Sequence, residues 1–300
     1  FLVLCTSYLI NKSGAMKKLF VSLGGLAVLV GIFILALPTI MHKAGMHPEY
    51  QGAVVSLPGK RALVITTSHD VLAALGETEG PATGVVASEM THPYYVLLDG
   101  GMQVDLASIK GGQIPIAPDS LGRMSATPET KRFLQDSIFK AKVDNSIKID
   151  DVDFSEYDII FLAGGWGAAY DLGYSAVLAQ KISNAYYADS KPVIGGVCHG
   201  VLGLINAKDR DGNLLIAGRR MTGVSDKQIK ELNIEITPQH PETELRKAGT
   251  LYESQTAFRD MFATHVVVDD EKRFVTGQNQ NSSTETAHKM MQVIADREPQ

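Results

Sequence analysis

Apolar and polar residues alternate along this chain in blocks that predict strands and helices in turn. Short runs that are apolar on both faces predict buried strands at Arg61–Thr67, Met102–Ala107, Tyr157–Leu162 and Pro192–Val197. Helical periodicity and helix-start residues predict helices at Tyr94–Asp99, from Pro128, at Ser175–Ala188, at Glu242–Ala248 and at Ser282–Arg297. Strands that alternate with helices are typical of an α/β protein with a doubly wound parallel sheet, whose site lies at the carboxyl ends of the strands.

Three segments depart from this alternation. Ser68–Pro93 is too polar for a core helix and is predicted to be a long loop, which in a compact domain is usually functional. Leu214–Thr222 predicts a small β excursion. Near the C-terminus, Val266–Val268 and Arg273–Thr276 flank Asp269-Asp270 and predict a hairpin.

The longest apolar run, Phe20–Met41, has 22 residues without a charge. This length spans a bilayer, so we predict a transmembrane helix rather than a cleaved signal peptide, which would instead release a secreted or periplasmic protein. The lysines before the run place the tail 1–19 in the cytoplasm, and a linker 42–58 and a catalytic domain 59–297 outside it. Residues 1–15 are expected to precede the native chain, which would start at Met16.

The segment Gly196-Val-Cys-His-Gly200 follows a predicted strand and has the pattern of a nucleophile elbow with cysteine in place of serine. Small residues beside Cys198 permit a sharp, strained turn into a helix. The helix dipole is expected to lower the thiol pKa. A buried structural cysteine is the alternative. The motif therefore predicts a reactive thiol.

Other residues near this elbow suit acyl or aldehyde chemistry. Gly164 and Gly165 end the preceding strand, and their N–H groups would form an oxyanion site, unless they only make a tight turn. His199 follows the cysteine directly, and whether its ring reaches the thiol depends on the turn.

Composition excludes several other classes. The formal net charge is −5, which gives no electrostatic footprint for nucleic acid. Two cysteines, Cys5 and Cys198, cannot form a disulfide framework. No cluster of His, Cys and acids has metal-ligand spacing, so no metal and no cofactor are expected.

The motifs together resemble the PfpI-type superfamily of the class I glutamine amidotransferase-like, flavodoxin-like fold, in its heat-shock chaperone/glyoxalase III branch. The resemblance runs from about Gly59 to Ala295. It is carried by the segments Glu89–Tyr95, Asp105–Gly112, Tyr157–Gly167, Gly196–Gly200 and Val267–Asn279.

The resemblance implies roles for individual residues. Cys198 is the nucleophile, His199 the base and Glu89 an acid that hydrogen-bonds the thiolate. Asp226 is the candidate that orients His199, although it would also suit the cap of the helix that follows. Trp166 joins the oxyanion turn, where a histidine is usual in the branch.

One motif is a decoy. His240-Pro-Glu242 spells the His-x-Glu pair of true amidotransferases, but it comes only 42 residues after Cys198. Glu242 and Glu244 are therefore interpreted as first-turn charges of a helix.

The resemblance implies an enzyme that acts on small aldehydes without a cofactor, either a glyoxalase III that turns methylglyoxal into lactate or a protein deglycase. A chaperone holdase and a PfpI-type cysteine peptidase are the alternatives. The expected partners are a small aldehyde and, through the apolar helix, a membrane. Whether the protein forms a homodimer is left open by the sequence.

Overall fold

A seven-stranded sheet forms the centre of the compact unit that starts at Gly45 in a computed structural model, which describes residues 25–26, 28–122 and 125–297. The strand order is β3-β2-β1-β4-β5-β9-β8, and every neighbouring pair is parallel except β8 and β9. The strands are β1 (Arg61–Thr66), β2 (Gln103–Ser108), β3 (Ile147–Lys148), β4 (Ile159–Leu162), β5 (Val193–Val197), β8 (Val266–Val268) and β9 (Phe274–Gly277). The predicted parallel sheet and C-terminal hairpin are confirmed.

Helices cover both faces of this sheet. They are α2 (Ala87–Asp99), α3 (Pro128–Phe133), α4 (Ser137–Asp144), α5 (Ala168–Asp171), α6 (Ala176–Tyr186), α7 (Asp226–Glu231), α8 (Pro241–Lys247) and α9 (Ser283–Ala295). A separate two-stranded sheet pairs β6 (Arg220–Met221) with β7 (Leu251–Tyr252). Strand β6 is the part of the predicted β excursion that belongs to this sheet.

Alternation along the strands divides the core into two hydrophobic clusters. In β1, Ala62 and Val64 pack into the cluster that includes residues of α2 and α9, whereas Leu63 and Ile65 pack into the cluster that includes residues of α6. Successive side chains of a strand point to opposite faces, so a strand that is apolar at every position needs cover on both sides. The continuous apolar runs in the sequence therefore match a buried central sheet.

Helix α2 begins seven residues earlier than the sequence pattern predicts, at Ala87 rather than Tyr94. Pro93 lies inside this helix. An internal proline removes one backbone donor and ordinarily ends a helix, so the residues before it are easily assigned to a loop. Glu89 therefore lies in the first turn of a buried helix and not in the predicted loop.

The predicted membrane anchor is wrong. The described helical residues before Ala44, here called α1, are 25–26 and 28–43. Across the described parts of the chain, no helix is both long enough and apolar enough to span a bilayer. The predictions of a tethered, extracytoplasmic domain and of a membrane partner lose their basis with it. The predicted tail 1–19 and residues 20–24 lie outside the described residues.

Candidate active site

The chain turns sharply where β5 ends. Cys198 has a φ of 58°, in the left-handed region that L-residues rarely adopt, and a 3-10 helix follows over Cys198–Leu204. The sequence pattern predicts a helix here, and a 3-10 helix is its observed form. A Cβ at Gly200 would clash with the backbone oxygen of Leu162 in the neighbouring strand, so the turn packs against β4 without room for a side chain.

This turn places two adjacent side chains together. Sγ of Cys198 lies 3.4 Å from Nδ1 of His199. Both residues are buried. Burial and the nearby His240 lower the pKa of His199 to about 3, so its ring is neutral at physiological pH and can accept a proton. The other ring nitrogen, Nε2, has no hydrogen-bond partner among the described residues.

Glu89 approaches the thiol from helix α2. Only 1% of its surface is exposed. Burial raises the pKa of Glu89 to about 8, while interactions with the Cys198 thiol and the Gly164 backbone N–H oppose that rise. A Cβ at Gly164 would clash with Oε2 of Glu89, so glycine is required where the carboxyl group meets β4. Glu89 is therefore mostly a neutral acid at pH 7.

The expected lowering of the thiol pKa is not what the site produces. Burial, followed by the charge of Glu89, raises the pKa of Cys198, and the backbone N–H groups of His199 and Gly165 only partly offset this. Desolvation of a thiolate in this nearly closed site outweighs the donors that face it. The resting thiol is therefore protonated.

The predicted oxyanion residues have separate surroundings. The Gly164 N–H interacts with Glu89, whereas the Gly165 N–H interacts with the cysteine sulfur. Trp166 is partly buried and lines the cavity beside Gly165. The backbone N–H groups that face Sγ are thus those of Gly165 and His199.

The structure does not bring Asp226 to His199. Asp226 is the first residue of α7, and the N-cap of this helix is Ser225, whose side chain accepts a hydrogen bond from the Gln228 N–H. The Asp226 carboxylate accepts a hydrogen bond from Thr243 at 2.8 Å. No hydrogen bond joins it to His199 within the described ranges. An orienting role for Asp226 stays a prediction.

The decoy residues are structural, as interpreted. Glu242 Oε2 accepts a hydrogen bond from the Asp226 N–H at 2.9 Å, and its Oε1 pairs with Arg246 at 2.9 Å. Both Glu242 and Glu244 lie in the first turn of α8. Acids there favour the positive end of the helix dipole.

Cys198, His199 and Glu89 line one cavity of about 170 Å³. Its walls are mostly apolar, with polar side chains at a few points. Lining residues that the sequence pattern does not single out include Met46, His47, Val86, Pro118, Ser120, Val224, Gln228, Leu232, Met261 and Gln280. Most of these come from segments distant from Cys198 in the chain, and no local motif identifies them. Among the described residues, no group of three or more His, Cys, Asp or Glu side chains could hold a metal ion.

Comparison with known proteins identifies the family. Glyoxalase 3 of Candida albicans is 29% identical over 225 residues, which cover 70% of this chain and 89% of that protein. The glutathione-independent glyoxalase HSP31 of Saccharomyces cerevisiae is 30% identical over 174 residues, covering 56% of this chain and 70% of that protein.

Solved structures agree with this assignment. The Rapid Encystment Protein 24 KDa of Francisella tularensis superposes with a TM-score of 0.71 at 35% identity, covering 78% of this chain and 99% of that one. Candida albicans glyoxalase III superposes with a TM-score of 0.65 at 27% identity, covering 80% and 98%. The model of the DJ-1/PfpI family matches residues 81–293. The chain therefore belongs to the DJ-1/PfpI family.

Proposed function

We propose that this protein is a glutathione-independent glyoxalase that converts methylglyoxal into lactate. The observation that carries the proposal is the buried Cys198 thiol, 3.4 Å from a neutral His199 ring and beside a protonated Glu89, at the end of a small cavity. Relatives named glyoxalase from two yeasts support the same activity. The enzyme needs only groups that this chain supplies.

The first step is addition of the thiol to the aldehyde. Sγ of Cys198 bonds to the aldehyde carbon, and the thiol proton passes through Nδ1 of His199 to the aldehyde oxygen, which gives a hemithioacetal. A neutral ring is required, because an imidazolium could not accept this proton. The backbone N–H groups of Gly165 and His199 stabilise the negative charge that develops on the oxygen.

The second step moves a proton between two carbons. His199 removes the hydrogen from the former aldehyde carbon, and Glu89 donates a proton to the adjacent carbonyl oxygen, so that an enediol forms. Reprotonation at the second carbon gives the thioester of a 2-hydroxy acid, and Glu89 recovers its proton from the oxygen of the first carbon. Water then hydrolyses the thioester, which releases lactate and restores the thiol.

Cavity size favours a small molecule over a protein substrate. Cys198 is 5% exposed, and the cavity above it is about 170 Å³. A peptide strand would have to bring its backbone into this space, and a glycated side chain would have to bring both the sugar-derived adduct and its own methylene chain. The site therefore supports a glyoxalase better than a deglycase or a peptidase.

The test is turnover of methylglyoxal without glutathione, with lactate measured as product. We expect Cys198→Ser to abolish turnover and Cys5→Ser, the matched control at the other cysteine, to retain it. A glycated peptide should not be turned over. Lactate formation that persists in Cys198→Ser, or that requires glutathione, would overturn the proposal.

A further inference from the structure

One wall of the catalytic cavity comes from a segment far from the catalytic residues in sequence. Met46 and His47 line the same cavity as Cys198 and His199. They belong to the segment Gly45–His47, here called the N-terminal strap. The strap precedes β1 and lies outside residues 81–293, which match the family.

A single buried side chain holds the strap on both sides. Oδ1 of Asn281 accepts a hydrogen bond from the His47 N–H at 2.8 Å, and its Nδ2 donates to the Gly45 oxygen at 3.2 Å. The same Nδ2 donates to the oxygen of Met261, which also lines the cavity. Asn281 is 4% exposed. Because one amide joins two segments of the wall, their spacing is fixed.

The strap is also packed against the helix that carries Glu89. The rings of His47 and His92 meet edge to face, with centroids 5.4 Å apart. His92 lies one turn after Glu89 in α2, and its own nitrogens contact Thr127 and Thr284 at 3.0 Å. The strap thus has backbone and side-chain contacts on two elements. This arrangement defines a wall rather than a loose terminus.

We propose that the N-terminal strap determines which 2-oxoaldehydes the site accepts, with the Met46 side chain limiting the size of the substituent on the ketone carbon. The proposal rests on the proposed function. When Sγ bonds to the aldehyde carbon, the substituent points away from the sulfur into the remaining cavity. Methionine there supplies apolar contact to a methyl group and occupies space that a phenyl ring requires. Replacing it by alanine opens that space.

The first experiment compares methylglyoxal with phenylglyoxal as substrates of the full chain. Met46→Ala is expected to raise the ratio of kcat/KM for phenylglyoxal to that for methylglyoxal by about tenfold, since even one methylene in an apolar pocket changes selectivity by about that much. Val54→Ala is the matched control, because this residue follows the strap and is 73% exposed. The control should leave the ratio unchanged. An unchanged ratio in Met46→Ala would overturn the proposal.

The second experiment does not depend on glyoxalase activity. The rate of alkylation of Cys198 is measured by mass spectrometry of its peptide, with iodoacetamide as the small reagent and N-phenylmaleimide as the bulky one. Met46→Ala and Asn281→Ala should each raise the rate of alkylation by the bulky reagent more than the rate by the small one. Val54→Ala should change neither rate. Equal effects on both reagents in Met46→Ala would overturn the strap's role.

The two experiments separate the two claims. If the wild type forms no lactate but the reagent ratio shifts in Met46→Ala, the proposed function fails and the strap's role in admitting molecules stands. If lactate forms but neither the substrate ratio nor the reagent ratio shifts in Met46→Ala, the strap proposal fails and the proposed function stands. Asn281→Ala tests whether the hydrogen bonds from Asn281 to the strap affect access to the cavity. Met46→Ala keeps the test valid should the buried Asn281 variant fold poorly.

Discussion

Nδ1 of His199 lies 3.4 Å from Sγ of Cys198, the residue directly before it. Neighbouring side chains in regular structure diverge, so this contact depends on the left-handed backbone at Cys198, whose φ is 58°. A residue held in that region costs on the order of 1–3 kcal/mol. The turn after β5, which packs against β4, maintains this geometry, and the result is a base within reach of the nucleophile.

His199→Asn is expected to lower kcat by about a hundredfold or more, since a positioned general base contributes about 10²–10⁴-fold. The variant keeps a polar side chain but has no ring nitrogen at the position of Nδ1. Steady-state turnover of methylglyoxal and a thermal melt on the same preparation measure the effect. A folded variant with wild-type kcat would show that the proton moves by another route.

Glu89→Gln is expected to change how stability depends on pH. The pKa of Glu89 is about 8 in the folded protein and about 4.5 in the unfolded chain, so between these values the folded state binds more protons. The stability that this group contributes to the folded state is therefore fully present below pH 4.5, and it is lost as the pH rises through 8. The slope is at most about 1.4 kcal/mol per pH unit.

Denaturant unfolding of wild type and Glu89→Gln at pH 6.5 and pH 8 measures this difference. The wild type should lose more stability over the interval than the variant, which has no proton to release. Titrating groups that do not interact with Glu89 are the same in both proteins and cancel. Parallel stability curves would show that Glu89 is ionised across this range.

The thiol of Cys198 should titrate at a higher pH than the thiol of a free cysteine, because burial and Glu89 both raise its pKa. The rate of iodoacetamide alkylation is expected to reach its midpoint above pH ~8.5, the ordinary value of a free thiol. In Glu89→Gln the midpoint should fall, because the carboxylate charge is removed. A wild-type midpoint below 8.5 would mean that the N–H groups of Gly165 and His199 outweigh burial.

Asp226→Asn is expected to leave kcat close to wild type and to cost about 1 kcal/mol or less in unfolding free energy. The carboxylate contacts Thr243 rather than His199, and Ser225 already caps the helix. Turnover and denaturant unfolding on one preparation measure the two effects. A large loss of kcat at normal stability would instead support the orienting role that the family resemblance implies.

Much of the fold and the centre of the site could be predicted from the sequence. The apolar run before Cys198 predicts β5, and the small residues around the cysteine predict the turn. The helical position of Glu89 was missed because Pro93 interrupts the local helix signal. The apolar run before residue 42 has the length and composition of a membrane span, yet among the described residues no helix is long and apolar enough to be one.

The walls of the cavity could not be predicted in the same way. Met46 and His47 lie in a stretch that has the composition of a linker, and nothing local indicates that Asn281 binds it. Likewise, the pKa of Cys198 depends on how deeply the finished fold buries it, which outweighs the local effect of the turn. Long-range packing decides both features.

Two glycines restrict how such a site can diverge over evolutionary time. Neither Gly164 nor Gly200 has space for even a methyl group, because Glu89 and the backbone of Leu162 already occupy it. A side chain at either position would therefore displace the catalytic groups, and we expect both glycines to be retained. No such limit applies to Met46 in the strap, so substitutions there in a duplicated gene could change which aldehydes the enzyme accepts while the catalytic residues stay the same.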